Sequence, residues 1–322
     1  MSAMRIDAGL ARTARPTVLV VGATGYLGRH IVAALRRADY PVRALARDPH
    51  RLGFAPDNGI EVFVGQVTRP ETLAGLCDGV SIVVSTLGVR SLKRRPTPWE
   101  VDYQGNLNVL TLAEKAGVQR FIFAGVLHGE QLRHSISVVE PRERFIDTLQ
   151  SSGVPWIVLR PTGFFNDMEI IFDQARRGRV IQVGDGATRM NPIHPNDLAD
   201  AVIHSIEDPA TRTTTVEVGG PEVYSYAEIA QMAFRALGKP PHTLRIAPGL
   251  VDGVSALVRP FNPTAAGFLR FFRTVMTTDM VAPPTGHIHL ADFYAQLASG
   301  RAAGQEPGQE PTAVMPAPGS GS

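Results

Sequence analysis

PTVLVVGATGYLGRH, residues 16–30, begins as a β-branched run and continues through glycines into a helical pattern. The glycines follow the spacing G-x-x-G-x-x-G, at Gly22, Gly25 and Gly28, with Thr24 inside the motif. A strand, a tight glycine turn and a helix N-terminus bring bare backbone and unpaired N–H groups close to an anion. The stretch therefore predicts a phosphate-binding turn that opens a dinucleotide-binding fold, with a purely structural turn as the alternative.

Short apolar runs alternate with helical segments from residue 16 to about residue 160. The runs show no strict alternation of apolar and polar residues, which is typical of strands covered on both faces. The predicted strands are 17–21, 42–46, 61–65, 81–86, 120–125 and 156–160. This order predicts an α/β fold with a doubly wound parallel sheet of the Rossmann type, which binds ligands at the carboxyl ends of its strands.

The pattern changes after residue 160, where we expect a smaller C-terminal substrate lobe. The predicted organisation is a disordered leader (1–15), an NAD(P)-binding Rossmann domain (16–160), a C-terminal lobe with helices (161–300) and a disordered tail (301–322). The leader lacks the apolar core of a signal peptide, and the tail is rich in Pro, Gly and Ser. We expect the two middle regions to be interleaved in one compact unit.

The composition excludes several classes of protein. A net charge of +2 on 322 residues argues against nucleic-acid binding. The single cysteine, Cys77, excludes an internal disulfide and fits a reducing, cytoplasmic setting. No apolar run reaches the roughly 18 residues that a membrane span needs.

The stretch FLRFFRTVMT, residues 268–277, mixes aromatic residues with arginine at helical spacing. It predicts core or lid packing, with a dimer face or peripheral membrane contact as alternatives. We expect a monomer or homodimer whose partner is a small hydrophobic substrate.

The end of the second predicted strand indicates which coenzyme is bound. NAD sites place an acid near this point to bind the ribose hydroxyls, whereas NADP sites place an arginine nearby. The chain reads VRALARDPHR here, with Arg47 at the strand end, Arg43 before it and Asp48 after it. A guanidinium matches a phosphate, and Asp48 before Pro49 fits a helix or turn cap. The sequence thus favours NADP(H) over NAD(H).

Four stretches resemble landmarks of the atypical short-chain dehydrogenase/reductase superfamily, which includes NmrA-like regulators and isoflavone-reductase-like enzymes. They are GATGYLGRHIV (22–32), VRALARDP (42–49), VDYQGNLNVLTLAEKAGVQRFIF (101–123) and SGVPWIVLRPTGFF (152–165). The resemblance runs from about residue 16 to residue 238. Three further stretches are most similar to divinyl chlorophyllide 8-vinyl reductases and their bacterial relatives: RPTGFFNDM (160–168), MNPIHPNDLADAV (190–202) and VEVGGPEVYSYAEIAQMAFRALGKPP (216–241).

The resemblance implies a cofactor site. The pyrophosphate is assigned to the glycine turn, the 2′-phosphate to Arg47 and the adenine to the end of the third strand. The nicotinamide is assigned to the start of the C-terminal lobe. The residues are Gly22, Thr24, Gly25, Tyr26, Leu27, Gly28, Arg47, Gln66, Val67, Thr86, Leu87, Gly88, Pro161, Thr162 and Phe164.

The chain departs from the superfamily at the catalytic positions. Typical members reduce carbonyls with a Ser and a Tyr-x-x-x-Lys pair. Alignment puts Gly125 at the Ser position, Val138 at the Tyr position and Arg142 at the Lys position, while residues 104–223 contain no tyrosine and residues 116–238 no lysine. Arg142 can hydrogen-bond ribose hydroxyls but cannot serve as an acid near neutral pH.

A different group must then carry the proton. The stretch VLHGEQLRH follows the fifth strand and supplies His128, Glu130 and His134. Histidine titrates near neutral pH, so His128 is the predicted acid, with a capping or solvated loop histidine as the alternative. The spacing of these residues matches no helical ligand pair, so we predict no metal site.

These features together predict an NAD(P)H-dependent oxidoreductase that transfers hydride to an apolar, conjugated small molecule, at a C=C or carbonyl bond. Reduction of an activated C=C bond suits the missing Tyr-Lys pair, because the negative charge can delocalise and water or His128 can protonate it later. The alternative is a non-catalytic NADP(H)-binding redox sensor, regulator or assembly subunit.

Overall fold

The computed structural model describes residues 15–52, 59–89, 95–208 and 213–300. The predicted tail and nearly all of the predicted leader lie outside these residues. The predicted boundaries of the leader, the two interleaved regions and the tail stay predictions. No helix in the described residues is long and apolar enough to cross a membrane.

The strands fall into one large sheet and two small pairs. They are β1 (Val18–Val21), β2 (Val42–Ala46), β3 (Ile60–Val64), β4 (Ile82–Ser85), β5 (Arg120–Ala124), β6 (Trp156–Pro161), β7 (Val180–Val183), β8 (Arg189–Met190), β9 (Thr214–Val218), β10 (Tyr224–Ser225) and β11 (Thr243–Ile246). The large sheet has the order β3-β2-β1-β4-β5-β6-β9, and every pair in it is parallel. The predicted doubly wound Rossmann-type fold is thus confirmed. Its strand order reverses between β1 and β4, so the crevice for a ligand lies at their carboxyl ends.

The helices cover both faces of the sheet and build the second lobe. They are α1 (Tyr26–Arg37), α2 (Asn106–Lys115), α3 (Gly129–Leu132), α4 (Glu140–Gln150), α5 (Phe165–Arg176), α6 (Pro195–Glu207), α7 (Tyr226–Ala236), α8 (Pro248–Val258), α9 (Pro263–Val275) and α10 (Leu290–Ala298). Apolar residues of α1 and α6 pack on one face, and those of α2 and α4 pack on the other. In α1 the spacing that predicts the helix also gives its buried stripe, since Ile31, Ala34 and Leu35 all face the sheet.

The six predicted strands agree with β1 to β6 within one residue at each end. The seventh strand of the sheet, β9, was not predicted. It pairs with β6 from Ile157 opposite Thr214 to Pro161 opposite Val218. Because β9 follows α5 and α6 in the chain, this pairing joins the C-terminal region to the main sheet.

The second lobe has an apolar core of its own, formed largely by α5, α7 and α10. Tyr294 on α10 is fully buried in this core, and its hydroxyl donates a hydrogen bond of 2.8 Å to the carbonyl of Met168 on α5. The lobe lies beyond the carboxyl end of β6, because α5 starts directly after the residues that end this strand.

A buried ion pair joins β6 to α4 below the second lobe. Arg160 and Glu143 are 4% and 1% exposed, and two nitrogen–oxygen contacts of 2.9 and 2.8 Å join their side chains. Arg160 also donates to the carbonyl of Val126 at 2.9 Å and contacts Glu130 at 3.1 Å. The Glu130 side chain is 71% exposed. One guanidinium therefore has a buried and a solvent-exposed carboxylate partner.

We predict that Glu143→Ala lowers the free energy of unfolding by about 3–5 kcal/mol, because it leaves the buried guanidinium of Arg160 without its partner. Glu130→Ala removes the exposed partner of the same arginine and is expected to cost less than about 1 kcal/mol. Chemical denaturation of both variants measures the difference. Equal losses would show that the buried pair adds no more stability than the exposed one.

Candidate cofactor and substrate site

The glycine turn leaves no room for side chains. Gly22 has φ of +87°, and a Cβ there would lie 2.6 Å from Oγ1 of Thr86. A Cβ on Gly28 would overlap the carbonyl oxygen of Gly22, so α1 approaches the turn as closely as backbone atoms allow. The N–H of Gly25 donates to the same carbonyl at 2.9 Å and closes the turn. The spacing of the motif is therefore a steric requirement of this contact.

The N-terminus of α1 offers its dipole and its first-turn N–H groups to the crevice. Gly25 is the N-cap, and within the described residues no side chain caps this end and no acid lies in the first turn. An anion is stabilised at such a helix end by the partial positive charge and by the backbone donors. A bare glycine cradle with this donor set fits the pyrophosphate of a dinucleotide.

The end of β4 lies beside this turn. The N–H and the hydroxyl of Thr86 both donate to the carbonyl of Val21, at 2.9 and 3.2 Å. Leu87 and Gly88 follow, and the carbonyl of Leu87 accepts a hydrogen bond of 3.2 Å from Arg142. The fold thus brings the predicted residues of β1, α1 and β4 together at one edge of the sheet.

The three polar residues around the end of β2 differ in their partners. Arg43 contacts Glu61 at 2.9 Å and donates to the carbonyls of Leu76 and Asp78, so its guanidinium is used within the protein. Asp48 accepts a hydrogen bond from the N–H of His50 and caps a 3-10 turn, as its sequence context indicates. Arg47 is exposed and makes no hydrogen bond or ion pair with the described residues. Of these three side chains, only that of Arg47 has no partner among the described residues, so its guanidinium is available to a ligand.

The loop after β3 is tied down by local hydrogen bonds. The backbone N–H of Gln66 donates to the Thr72 hydroxyl at 2.9 Å, and its side-chain amide donates to Thr68 at 2.7 Å. The carbonyl of Val67 accepts from Asn108 on α2 at 2.8 Å. Both residues lie at the carboxyl edge of the sheet, where the adenine was expected.

A cavity of about 440 Å³ opens between the carboxyl ends of β5 and β6 and the second lobe. Its wall is mostly apolar, with Met168 and Ile171 from α5 and Phe268, Phe271 and Val275 from α9. The predicted residues Pro161, Thr162 and Phe164 also line it. Tyr26, at the start of α1, packs against Phe164 with ring centroids 6.5 Å apart, so this cavity adjoins the glycine turn.

Arg142 lies in the cavity wall, and its donors are engaged by the protein. It contacts the Asp102 carboxylate at 2.9 Å and donates to the carbonyls of Ala124 and Leu87 at 3.1 and 3.2 Å. Asp102 is buried and also accepts from the N–H of Val89. Burial raises the pKa of Asp102, and the guanidinium of Arg142 acts in the opposite direction. Arg142 therefore joins the ends of β4 and β5 as a positioning residue.

Asp102 was not among the predicted site residues. It lies in a π-helical turn, Trp99–Gly105, that precedes α2. Asn106 stabilises this turn by donating to the Asp102 carbonyl at 2.8 Å and accepting from Ser85 at 2.6 Å. Such turns redirect a helical side chain and are frequent at functional sites. The sequence did contain a signal for Asp102: it is an acid in the helical segment after β4, where it could neutralise Arg142 at the edge of the sheet.

His128 was expected beside the substrate, but it does not belong to the cavity wall. The N–H of Leu127 donates to the carbonyl of Pro161. Val126 is in the cavity wall, whereas Leu127 and His128, which follow it, are not. His128 has φ of +56° and forms the N-cap of the short helix α3. Gly125 and Val138, at the superfamily's Ser and Tyr positions, do line the cavity and offer no hydroxyl. The predicted acid role of His128 thus has no contact to support it.

Tyr226 lines the cavity, although no pattern in the sequence indicated a role for it. It is 7% exposed and lies at the first position of α7, directly after the N-cap Ser225. Burial, with a smaller contribution from the Asp167 carboxylate, raises the pKa of its phenol. The phenol therefore stays protonated at neutral pH and is a weaker acid than an ordinary tyrosine.

His194 lies at the start of α6, outside the cavity wall. It is the N-cap of this helix, and its Nδ1 accepts from the N–H of Asn196 at 3.2 Å. Its ring packs against Phe165 and against His30 of α1, at centroid distances of 5.2 and 5.9 Å. Burial, followed by the neighbouring His30, lowers the pKa of His194 to about 4.

Comparison with known proteins supports the same type of site. A family model described as NAD(P)H-binding matches residues 22–209. The chain is 27% identical over 224 residues to the photosystem II assembly factor Ycf39 of Trieres chinensis, covering 69% of this chain and 70% of the relative. It is 25% identical over 336 residues to the chloroplastic divinyl chlorophyllide a 8-vinyl-reductase of Arabidopsis thaliana, covering 91% and 79%. These matches confirm the resemblance predicted from the motifs.

The fold is shared with solved structures at low sequence identity. The triphenylmethane reductase of Citrobacter sp., complexed with NADP(H), superimposes with a TM-score of 0.70 at 18% identity. The superposition covers 87% of this chain and 99% of that one. It shows that the lobe over the carboxyl edge belongs to the shared fold.

Arg47→Ala is expected to weaken NADPH binding by about tenfold or more and NADH binding little, because it removes a charge-assisted contact to the 2′-phosphate. Fluorescence titration with each coenzyme measures both dissociation constants. Arg177→Ala, at an exposed arginine beyond α5, is the matched control. Equal losses for the two coenzymes would refute the assignment of Arg47 to the 2′-phosphate.

The pKa of His194 predicts loss of stability in acid. Its ordinary value is 6.5 and its folded value is about 4, so the unfolded chain binds more protons between these pH values. Stability is therefore full above pH 6.5 and falls as the pH drops toward 4, by roughly 3 kcal/mol in total. His194→Asn keeps an N-cap acceptor and should flatten this dependence in thermal unfolding. His134→Asn, at an exposed histidine, should leave it unchanged.

Proposed function

The chain belongs to the NAD(P)H-binding family, and from this we propose that it is an NADPH-dependent reductase of the atypical short-chain dehydrogenase/reductase type. Its acceptor is an apolar, conjugated small molecule that is reduced at a C=C or carbonyl bond. The observation that carries this proposal is the apolar cavity of about 440 Å³, whose wall includes Pro161, Thr162 and Phe164. These are the residues that the superfamily resemblance assigns to the nicotinamide.

The preference for NADPH rests on the surroundings of β2. Arg43 and Asp48 have partners within the protein, whereas Arg47 is exposed at the strand end. A guanidinium in this place attracts a 2′-phosphate and gives no particular contact to a 2′-hydroxyl.

When bound, the coenzyme supplies a hydride from C4 of its nicotinamide. The protein's part is to hold the acceptor against that carbon and to exclude water. The apolar side chains of α5 and α9 suit both tasks, because they offer a conjugated molecule a large contact area and few competing polar groups. Arg142 holds the carbonyls of Leu87 and Ala124 and so maintains the shape of the coenzyme side of the cavity.

The proton that completes the reduction is assigned here to Tyr226. Tyr226 lies in the cavity wall. Even with a raised pKa, its phenol is a stronger acid than the carbon acid that forms when an enolate or a similar delocalised carbanion is protonated. Water is the other source, since a delocalised charge can await a slower protonation. His128, predicted for this role, lies outside the wall.

A second function is favoured by a specific observation. The relative from Trieres chinensis is named as an assembly factor, and its similarity to this chain is comparable to that of the reductase. Together with Gly125 and Val138 at the superfamily's Ser and Tyr positions, this supports a non-catalytic NADP(H)-binding regulator or assembly subunit as the alternative.

Turnover separates the two functions. The purified protein is titrated with NADPH and NADP⁺ by fluorescence, and NADPH oxidation is then followed by absorbance with a panel of enones, quinones and triphenylmethane dyes. We expect micromolar or tighter coenzyme binding and oxidation with at least one apolar acceptor. Tight binding of both coenzyme forms without turnover on any acceptor would refute the reductase and support the regulator.

Two variants test the proton assignment within the same assay. Tyr226→Phe is expected to lower kcat by about 10²-fold without changing the affinity for NADPH, since only the hydroxyl is removed. His128→Ala is expected to leave kcat unchanged. The reverse pattern would return the role to His128, and two unaffected variants would assign it to water.

A further inference from the structure

The hairpin formed by α8 and α9 is the outer wall of the cavity. On its inner side, α9 contributes Phe268, Phe271 and Val275 to the cavity lining. On its outer side, α8 packs on α9, where Ser255 donates to the carbonyl of Ala266 at 2.9 Å. α9 therefore separates the cavity from α8, and α8 forms the surface layer.

In α8 the buried side is polar and the exposed side is apolar, which is the reverse of the pattern in an ordinary surface helix. Its one buried residue is the polar Ser255. Its outward side chains are Leu250, Val254 and Leu257, exposed by 59%, 44% and 72%, and Phe261 just beyond the helix is exposed by 73%. Positions 250, 254 and 257 follow the helical repeat and form one apolar stripe, and Phe261 in the turn after α8 adds a fourth exposed apolar side chain. A stripe of this kind in contact with water marks an interaction surface.

The charges around the stripe are mainly positive. The hairpin carries Arg259, Arg270 and Arg273 against a single acid, Asp252. Asp252 is paired with Arg273 at 3.2 Å, which also ties α8 to α9. The exposed Arg259 and Arg270 therefore give the hairpin an excess of positive charge.

We propose that the α8–α9 hairpin docks on a lipid surface with anionic headgroups, with the stripe inserted at the boundary between headgroups and acyl chains. An apolar face with flanking arginines is the pattern of helices that lie in a membrane interface. Phe272 of α9 is 38% exposed and also lines the cavity, so one aromatic side chain of the hairpin borders both the surface and the cavity.

Vesicle flotation tests this docking without coenzyme or substrate, so its outcome is independent of the proposed reaction. The full chain is mixed with phosphatidylcholine vesicles, with and without phosphatidylglycerol. We expect flotation that increases with phosphatidylglycerol and decreases with added salt, because the arginine contribution is screened.

A pair of double variants locates the surface. Leu257→Asp with Phe261→Asp should lower the vesicle partition coefficient by about tenfold or more, since both side chains leave the interface and two negative charges enter it. Val223→Asp with Leu244→Asp changes two exposed apolar residues outside the hairpin, 47% and 42% exposed, and adds the same charge. This control should float like the wild type, and thermal unfolding checks that both variants are folded.

Three results would overturn the proposal. They are failure of the wild type to float with any vesicles, equal loss in the two double variants, and a wild-type dimer that Leu257→Asp with Phe261→Asp converts to a monomer without any lipid binding. The last result would assign the stripe to a second copy of the chain, and light scattering after size exclusion detects it.

Discussion

The contact between the backbone of the glycine turn and the start of α1 is the constraint from which the site follows. Because Gly28 lies against the carbonyl of Gly22, α1 must leave the turn with its N-terminus directed into the crevice between β1 and β4. The same helix packs on α6 and brings Tyr26 against Phe164 in the wall of the cavity. One steric contact thus sets the position of the glycine turn relative to the cavity.

Two arginines near the site are each paired with a buried carboxylate. Arg142 is paired with Asp102, and Arg160 is paired with Glu143. Each guanidinium also binds backbone carbonyls at the ends of β4 or β5. The cations therefore stiffen the carboxyl edge of the sheet and offer little free charge to a ligand. A molecule that spreads developing charge over a conjugated system is suited to such a cavity.

The second lobe adds further apolar surface around the cavity. Its core encloses the cavity from above, while the α8–α9 hairpin closes one side and exposes its apolar residues to the surroundings. An apolar interior and an apolar exterior separated by one layer of helices are consistent with a ligand that is poorly soluble in water. The proposed reduction and the proposed lipid docking both imply such a ligand, although they are supported by different residues.

The elements that could be predicted are those whose signals lie within a few residues of one another. The strands β1 to β6, the glycine turn, the buried stripe of α1 and the capping role of Asp48 all follow from local spacing and backbone sterics. These patterns also imply a dinucleotide-binding fold, because a strand, a glycine turn and a helix are consecutive in the chain.

What required the folded chain were contacts between distant segments. The pairing of β9 with β6, the meeting of Asp102 with Arg142 and the presence of Tyr226 in the cavity wall join residues that are far apart in sequence. His128 follows β5 closely in sequence, but it lies outside the cavity wall, beyond the hydrogen bond from the N–H of Leu127 to the carbonyl of Pro161. Sequence spacing determines which local element forms, whereas the path of the chain over the sheet edge determines which side chains share a cavity.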